Sequence, residues 1–357
     1  MRRSAESPLL ELPEELQMQV MARMRLADLA AVRVDGYSFA NKTMLAAIAT
    51  LPLRTLSLQS VTCRHRDASI TSRTADVGRQ RQQSSAGAGL QALTSLRTLD
   101  VTDCGALSRQ GMQIIGQLTG LRSLLILPTS ENGAYLMDDL ARLTGLESLR
   151  IKPSNSDDYP PPVDLAGLSS LTRLTHLKVG RLSGPTIVVH SLDAITCSLR
   201  GLVLGGCAAA DGLDSLLTSA ALEELALRQC HQLVTLGRCQ RIGQLTSLRE
   251  LSLRGSAMAD GFATLTSLQV LDITTGISTL DSAAARHLTR LRSRMELRCH
   301  TVDSNTLLTL CRISTLRTLV LETVKRQTPV SAHALAKAQR IHPGLVPKYE
   351  GLPTGCS

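Results

Sequence analysis

The chain has 357 residues, and its 39 lysines and arginines outnumber its 30 acidic residues, which gives a formal net charge of +9. The basic residues are spread along the sequence rather than gathered into runs. Aromatic residues are few, with four tyrosines, two phenylalanines and no tryptophan. Proteins that bind single-stranded nucleic acid combine a basic groove with aromatic stacking platforms. The composition therefore argues against nucleic acid as a partner.

No apolar run approaches the roughly 18 residues that indicate a membrane-spanning helix, and the N-terminal segment lacks the apolar core of a signal peptide. The nine cysteines show no C-x-x-C or zinc-like spacing. We expect no membrane segment, no metal or other cofactor, and reduced thiols. The expected location is the cytoplasm, with the nucleus and the cytoskeleton as alternatives.

Residues 1–8 are expected to form a flexible tail, and residues 9–50 are expected to be helical. Apolar residues recur at helical spacing from Leu12 to Met24, and Pro13 suits a first helical turn. A second short helix is expected over Asp28 to Val34 and a third over residues 42–49. The predicted organisation thus begins with a helical unit.

This segment resembles an F-box. The resemblance lies in Leu12-Pro13-Glu14-Glu15-Leu16, in the aliphatic residues that follow, and in the acidic-Leu pair Asp28-Leu29. It implies that the helices bind a Skp1-like adaptor of a cullin-type ubiquitin ligase. The residues implied to contact that adaptor are Leu12, Pro13, Leu16, Val20, Met24 and Leu29. The alternative is a helical cap that only covers the exposed end of the repeats that follow.

A single repeat unit recurs from residue 51 to residue 325. Residues 93–104 read LTSLRTLDVTDC, and the pattern L-x-x-L-x-x-L-x-L returns along the chain. The third apolar residue of each copy serves as a marker, and successive markers are 20–28 residues apart after a first interval of 43. The long first interval contains a polar, arginine-rich insert at 60–89, which is expected to be disordered. The markers are Leu56, Leu99, Leu124, Leu149, Leu177, Leu202, Leu225, Leu251, Leu271, Met295 and Leu319.

The spacing predicts both the local structure and the fold. Alternate apolar residues share one face of a short strand, and no repeat can bury that face unless its neighbours stack on it. The period lies within the range of about 20–29 residues seen in leucine-rich repeats. The chain resembles a leucine-rich repeat protein of the cysteine-containing subclass, because the position after the strand is Cys104, Cys207 or Cys230 in three copies. A small polar side chain there can satisfy backbone groups of the turn.

The predicted fold class is therefore an α/β leucine-rich repeat solenoid. It is expected to be a right-handed horseshoe with parallel strands on the concave face and helices on the convex face. Helices are expected over Ser108 to Gln117, Ala134 to Arg142, Leu213 to Thr218, Asp281 to Leu288 and Asp303 to Leu310. Residues 326–357 are expected to form a C-terminal cap helix, over Ser331 to Ile341, and a loose tail.

Catalytic motifs are absent from the sequence, so we expect a non-enzymatic protein-interaction protein. The two adjacent Cys-His pairs, at Cys230 and Cys299, are poor candidates for a nucleophile and its base, because neighbours on a strand point to opposite faces. The leading hypothesis is the substrate-recognition adaptor of a cullin-type ubiquitin ligase. The alternative is a leucine-rich repeat scaffold of a cytosolic or axonemal assembly.

The concave face is the expected binding surface for an unknown protein substrate. Neighbouring strands should place Arg150, Lys152 and Lys178 in one basic patch and Arg228 and Arg254 in a second. Leu125 and Leu127 are expected beside the first patch. We hypothesise that this surface grips an acidic segment by charge and an apolar anchor by burial. The alternative is a solvated charged sheet face with no partner.

Overall fold

The structure is a computed structural model that describes part of the chain. The strands of this part form two parallel β-sheets. The described residues are 31–35, 54–59, 95–101, 112–113, 115–127, 135–153, 161–180, 187–195, 198–253, 265, 267–274, 285–286, 288, 295–300, 302–322, 332–343, 345 and 347–350.

The large sheet of the described residues contains 13 strands, and every neighbouring pair is parallel. The order of the strands in space follows their order in the chain, so each turn of the chain adds one strand to the same sheet. With strands numbered in chain order across both sheets, they are β1 (Ala31–Asp35), β2 (Thr55–Gln59), β3 (Thr98–Asp100), β4 (Ser123–Ile126), β6 (Ser148–Ile151), β8 (His176–Gly180), β10 (Gly201–Gly205), β12 (Glu224–Arg228), β13 (Glu250–Ser252), β14 (Val270–Asp272), β15 (Met295–His300), β16 (Leu316–Glu322) and β17 (Pro347–Glu350).

The repeat markers form one continuous row across this sheet. Each marker from Leu56 to Leu271 pairs directly with the next, and the markers from Leu99 onward are buried. The marker Met295 is wrong by two residues, because Leu271 pairs with Leu297, which pairs with Leu319. Between Met295 and Glu296 the register with β16 shifts by one, because Met295 pairs with Leu316 and Glu296 with Thr318, which leaves Arg317 on β16 as the additional residue.

The return segments of the middle repeats differ from the expected helices. The stretch expected to be helical over Ala134 to Arg142 instead forms a short strand and a 3-10 helix. Short strands here make a second parallel sheet of four strands, and a 3-10 helix follows three of them. The strands are β5 (Tyr135–Leu136), β7 (Val163–Asp164), β9 (Ile187–His190) and β11 (Cys207–Ala210), and the 3-10 helices are Asp138–Leu140, Ala166–Ser170 and Leu192–Ile195.

The apolar spacing explains these 3-10 helices. Met137, Leu140, Leu143 and Leu146 are buried at intervals of three residues, and three residues make one turn of a 3-10 helix but not of an α-helix. The backbone N–H of Leu140 donates to the carbonyl of Met137 at 2.9 Å, and Leu143 donates to Leu140 at 2.9 Å. One row of leucines therefore fills the core and sets the turn.

Longer helices occur in the C-terminal half. The expected helices at Leu213–Leu216 and Ser304–Leu310 are confirmed, as is the cap helix at Ala332–Ile341. A further helix, Leu236–Ile242, was not expected. Residues 112–113, 115, 285–286 and 288 are also helical, within two of the expected helices. Side chains cap two of the helices: Thr235 accepts from the N–H of Arg238, and Asp303 accepts from the N–H of Thr306.

Both ends of the large sheet extend beyond the expected repeat region. Residues 31–35 form strand β1 rather than the helix expected over Asp28 to Val34, and Val32 pairs with Leu56. Residues 347–350 of the expected loose tail form β17, which pairs with β16. Both added strands satisfy backbone groups that an open sheet edge would leave without partners.

Several expectations lie outside the described residues. They concern the tail at 1–8, the adaptor-contact residues Leu12, Pro13, Leu16, Val20, Met24 and Leu29, the insert at 60–89, Cys104 and Arg254.

A close approach of two strands makes one glycine necessary. Gly180 has a φ of +115°, and a Cβ there would lie 2.0 Å from the carbonyl oxygen of Gly205 on the neighbouring strand. We expect Gly180→Ala to lower the free energy of unfolding by at least about 1–3 kcal/mol, the range for a strained backbone conformation. Urea denaturation of the full chain would measure it.

The matched control is Gly237→Ala in the helix Leu236–Ile242, where a Cβ would meet no atom within 4 Å. This variant should keep the stability or raise it by up to about 1 kcal/mol. Equal unfolding midpoints for the two variants would contradict the close approach of the strands at Gly180.

Candidate functional site

Alternation along the strands divides the large sheet into two faces. The marker leucines point into the core, and the residues on either side of each marker point away from it. We call this outer surface the open face. It corresponds to the face that the sequence analysis expects to be concave, and its side chains are the ones that a partner can reach.

The basic residues of the open face lie beside one another. Arg150 on β6 pairs in register with Lys178 on β8, and Leu125 on β4 pairs with Arg150. Leu125 and Leu127 are partly exposed, and Arg150 is exposed. This is the arrangement that the repeat spacing predicts. Binding at these residues stays a prediction.

Arg228 belongs to the same group, although the sequence analysis placed it in a second patch. The intervening strand β10 carries Gly205 in register with Gly180 of β8 and with Arg228 of β12. Lys178 itself lies in the adjacent row, in register with Val203 of β10, which pairs with Ala226 of β12. The charge of Arg228 nevertheless contributes to lowering the pKa of Lys178. We call Arg150, Lys178 and Arg228 the cationic cluster.

The pKa of Lys178 lies below its usual value for three reasons. Partial burial contributes most, followed by repulsion from Arg150 and then from Arg228, while Glu224 acts weakly in the opposite direction. Burial and neighbouring positive charge both disfavour the protonated amine. The positively charged side chains of the cluster therefore repel one another in the folded protein.

Among the described residues, the three members of the cationic cluster have no ion-pair partner, which is also true of exposed arginines such as Arg142 and Arg173. Away from the open face, Arg200 pairs with Glu223 at 3.0 Å and Arg238 pairs with Asp214 at 3.1 Å. Within the described residues, no carboxylate lies within 4 Å of the charged groups of Arg150, Lys178 or Arg228. The Nε of Arg228 is buried and has no hydrogen-bond acceptor among the described residues.

Lys152, the remaining basic residue of the first predicted patch, lies just beyond the end of β6. Its side chain is partly exposed, and its backbone N–H donates to the carbonyl of Ile126 at 2.9 Å. This bond keeps residue 152 in register with the neighbouring repeat.

An acidic depression on the open face was missed by the sequence analysis. It has a volume of about 300 Å³ and lies over β12 to β15. Ala226 and Ser252 are small buried residues of its lining, which also includes Glu224, Glu250 and Asp272. The concave-face residues predicted from the sequence all follow their markers. Glu224 and Glu250 precede their markers and point outward by the same alternation.

Two carboxylates of the depression are already engaged by the protein. Asp272 accepts a hydrogen bond from the hydroxyl of Thr274 at 2.6 Å, and Glu296 pairs with Arg298 at 2.7 Å. Glu224 and Glu250 have no ion-pair partner within the described part of the chain. Arg228 of the cationic cluster also lines the depression, so the cationic and acidic residues of the open face adjoin there.

The turn cysteines are structural, as the sequence predicts for Cys207 and Cys230. The thiol of Cys230 donates to the carbonyl of Arg228 at 3.2 Å, and its sulfur accepts from the N–H of Cys207 at 3.4 Å. The side-chain hydrogen bond with Cys230 and burial raise the pKa of Cys207 well above its ordinary value, and the same hydrogen bond lowers the pKa of Cys230. Reactive cysteines are partly exposed, whereas both of these thiols are buried.

The adjacent Cys-His pairs do not form nucleophile and base. Cys230 is fully buried while His231 is exposed, so the two side chains point in different directions. Burial raises the pKa of Cys299 to about 12, which suppresses the thiolate that a nucleophile requires.

The described residues contain no group of three or more His, Cys, Asp or Glu side chains arranged to hold a metal ion. They also contain no helix long and apolar enough to cross a membrane.

Comparison with known proteins rests on structure, because the sequence matches no protein-family model and no curated protein. The chain is similar in fold to the mouse RP105/MD-1 complex, with a TM-score of 0.52, 14% identity, and coverage of 88% of this chain and 53% of that chain.

Two bacterial structures also align over most of their length. An internalin from Listeria monocytogenes has a TM-score of 0.47 and 15% identity, covering 94% of this chain and 93% of that chain. A leucine-rich repeat protein from Leptospira interrogans has a TM-score of 0.43 and 15% identity, with coverage of 94% and 92%. The register of the strands and the row of buried markers give the fold directly: it is an α/β leucine-rich repeat solenoid.

The electrostatics of the cluster can be tested on Lys178. Its amine should lose its proton below the usual lysine pKa of 10.5, and Arg150→Gln should move that titration upward because one repulsive charge is removed. Nuclear magnetic resonance of isotope-labelled lysine side chains would follow the titration.

The unfolded state binds more protons than the folded state in the range between the lowered pKa of Lys178 and 10.5. Stability should therefore rise with pH in that range. Arg312→Gln, at an exposed position outside the open face, is the control and should leave the titration of Lys178 unchanged. An identical Lys178 titration in the Arg150→Gln variant would contradict the proposed repulsion.

Proposed function

We propose that this protein is a non-enzymatic protein-interaction protein whose open face binds an acidic segment of a partner. The observation that carries the proposal is the uncompensated cationic cluster beside partly exposed leucines. Arg150 and Lys178 face each other directly across two strands. Like charges in this position destabilise a sheet.

A bound carboxylate would remove this cost. The carboxylate would pair with the positive charges of Arg150 and Lys178, which repel each other in the free protein. Relief of this repulsion would make the binding free energy more favourable. Leu125 and Leu127 offer apolar area next to the charges, and burial of such area supplies affinity while charges supply orientation. The leucine-rich repeat fold of the chain supports the proposal because solenoids expose extended sheet surfaces of this kind.

The more specific proposal is that the protein is the substrate-recognition adaptor of a cullin-type ubiquitin ligase. Its support is the F-box-like pattern that begins at Leu12-Pro13 and includes Leu16, Val20, Met24 and Leu29. In this proposal those residues bind a Skp1-like adaptor, and the open face selects the substrate.

The second candidate is a scaffold of a cytosolic or axonemal assembly. One observation favours it: Ala31–Asp35, within the expected F-box-like region, is a strand of the solenoid sheet rather than part of a helix. In this proposal the segment before β1 is a cap of the solenoid and has no adaptor partner.

A single substitution tests binding by the open face. Arg150→Glu places a carboxylate opposite Lys178, so stability should rise by up to about 1 kcal/mol, as for an opposite-charge cross-strand pair. Capture of protein partners by the full chain, quantified by mass spectrometry after crosslinking, should fall about tenfold, which corresponds to about 1.4 kcal/mol. Opposite changes in stability and capture exclude misfolding as the cause.

The control for this substitution is Lys337→Glu, an exposed site on the cap helix away from the open face. It makes the same kind of change in net charge and should retain every partner. Unchanged capture by the Arg150→Glu variant would remove the cationic cluster from consideration as a binding site.

The adaptor role is tested separately by co-purification of the full chain with a Skp1-type adaptor. A triple variant with Leu12, Pro13 and Leu16 changed to alanine should lose the adaptor, because the resemblance places the contact there. The Arg150→Glu variant should keep it. If a folded wild-type chain does not retain the adaptor, the scaffold is the better description.

A further inference from the structure

The open face carries two like-charge pairs of opposite sign. Arg150 on β6 faces Lys178 on β8, and Glu224 on β12 faces Glu250 on β13. Each pair lies directly across two neighbouring strands, where like charges are unfavourable. As described above, none of the four residues has an ion-pair partner in the described part of the chain. The open face thus has one pair of neighbouring positive charges and one pair of neighbouring negative charges.

Strand β10 separates the two pairs and contributes the small residues Gly201, Val203 and Gly205 to the outward positions. A Cβ on Gly201 would lie 2.6 Å from the Cδ2 atom of His176 and 3.3 Å from the Oε2 atom of Glu224. Those two side chains therefore cover Gly201, which is buried. A segment that crosses β10 here would follow a path over His176 and Glu224.

The depression continues this path on the acidic side. Small residues, Ala226 and Ser252, are buried within its lining, and Glu224 and Glu250 lie beside them. The volume of about 300 Å³ exceeds that of a single amino-acid side chain. The neighbouring Asp272 and Glu296 are held by Thr274 and Arg298, which leaves the two glutamates to interact with a ligand.

We infer that the open face binds an extended segment of a partner protein in which an acidic residue and a basic residue are separated by a fixed distance. The acidic residue lies over Arg150 and Lys178, and the basic residue lies over Glu224 and Glu250. The inference rests on the proposed function, because it assumes that this face is the binding surface. It adds a second contact of opposite charge and a spacing between the two.

The spacing follows from the sheet. The centre of the cationic pair and the centre of the acidic pair are three strand intervals apart, and strands are separated by about 4.8 Å, which makes about 14 Å across the strands. Because Arg150 and Lys178 follow their markers whereas Glu224 and Glu250 precede theirs, the pairs are also offset by two residues, about 7 Å, along the strands. The two centres are therefore about 16 Å apart, and an extended chain that advances by about 3.3 Å per residue spans this distance with roughly four to five residues. Leu125 lies one strand beyond Arg150. The order along the segment is then an apolar residue, an acidic residue and, about four to five positions further, a basic residue.

The test is selection of a random dodecapeptide display library on the immobilised full chain at low ionic strength. The enriched peptides should share the order apolar, acidic, basic with the spacing given above. A representative synthetic peptide should bind about tenfold more weakly to the Arg150→Glu variant and to a Glu224→Gln, Glu250→Gln double variant. Binding should also weaken with added salt, because exposed charges are screened.

Matched controls separate this result from general charge effects. Lys337→Glu and Asp139→Asn lie outside the open face and should leave peptide binding unchanged. In the same peptide, replacing the basic residue by glutamine should weaken binding to the wild-type chain. It should have little effect on binding to the double glutamine variant, since the two changes remove the same interaction.

The outcomes distinguish the inference from the proposed function. Enriched peptides that are acidic and sensitive to Arg150→Glu, but have no basic residue at a preferred spacing, would overturn the inference and leave the proposed function in place. If no enriched peptide depends on Arg150, both are overturned. Enrichment of the full order, with loss of binding in both sets of variants, establishes the two-signed surface.

Discussion

The continuous row of buried leucines is the constraint on which the rest of the structure depends. From Leu99 to Leu319 each strand of the large sheet places one leucine in this row, and each is at most 1% exposed. None of these residues can be fully covered within its own repeat, because a single strand and its return segment leave both sides of the repeat open until neighbouring repeats stack on them. Each repeat is therefore folded only as part of the stack, and the strands must be parallel and in register.

This constraint leaves the open face free for another use. Side chains alternate along a strand, so the positions on either side of a marker contribute nothing to the core. Their charges are not needed for packing. Two pairs of neighbouring side chains on this face carry like charge, Arg150 with Lys178 and Glu224 with Glu250. We propose this face as the surface that contacts other molecules because a ligand charge of opposite sign would relieve the repulsion within each pair.

The requirement to keep the row filled also explains the return segments and the ends. Where leucines follow one another at intervals of three, as from Leu140 to Leu146, the chain returns through 3-10 turns. Over Ser304–Leu310 an α-helix forms instead, with a side-chain cap at Asp303. At each end of the sheet an added strand, β1 or β17, pairs with an edge that would otherwise be open.

The sequence by itself determined the repeat and the row of markers, because leucine spacing is a local property that strands convert directly into one buried face. It also determined that Arg150 and Lys178 lie side by side, since a shared position within the repeat becomes a shared position in the sheet. The structural role of Cys207 and Cys230 followed from the same reasoning. The tertiary structure decided what depends on neighbours in space. Pairing with both neighbouring strands moved the marker from Met295 to Leu297, and an open sheet edge made a strand of Ala31–Asp35, where the local pattern favours a helix. The stacking of the repeats also placed Arg228 near enough to Lys178 to contribute to lowering its pKa. The acidic depression likewise exists only after stacking, because small residues from different repeats make a recess only when their strands lie next to each other.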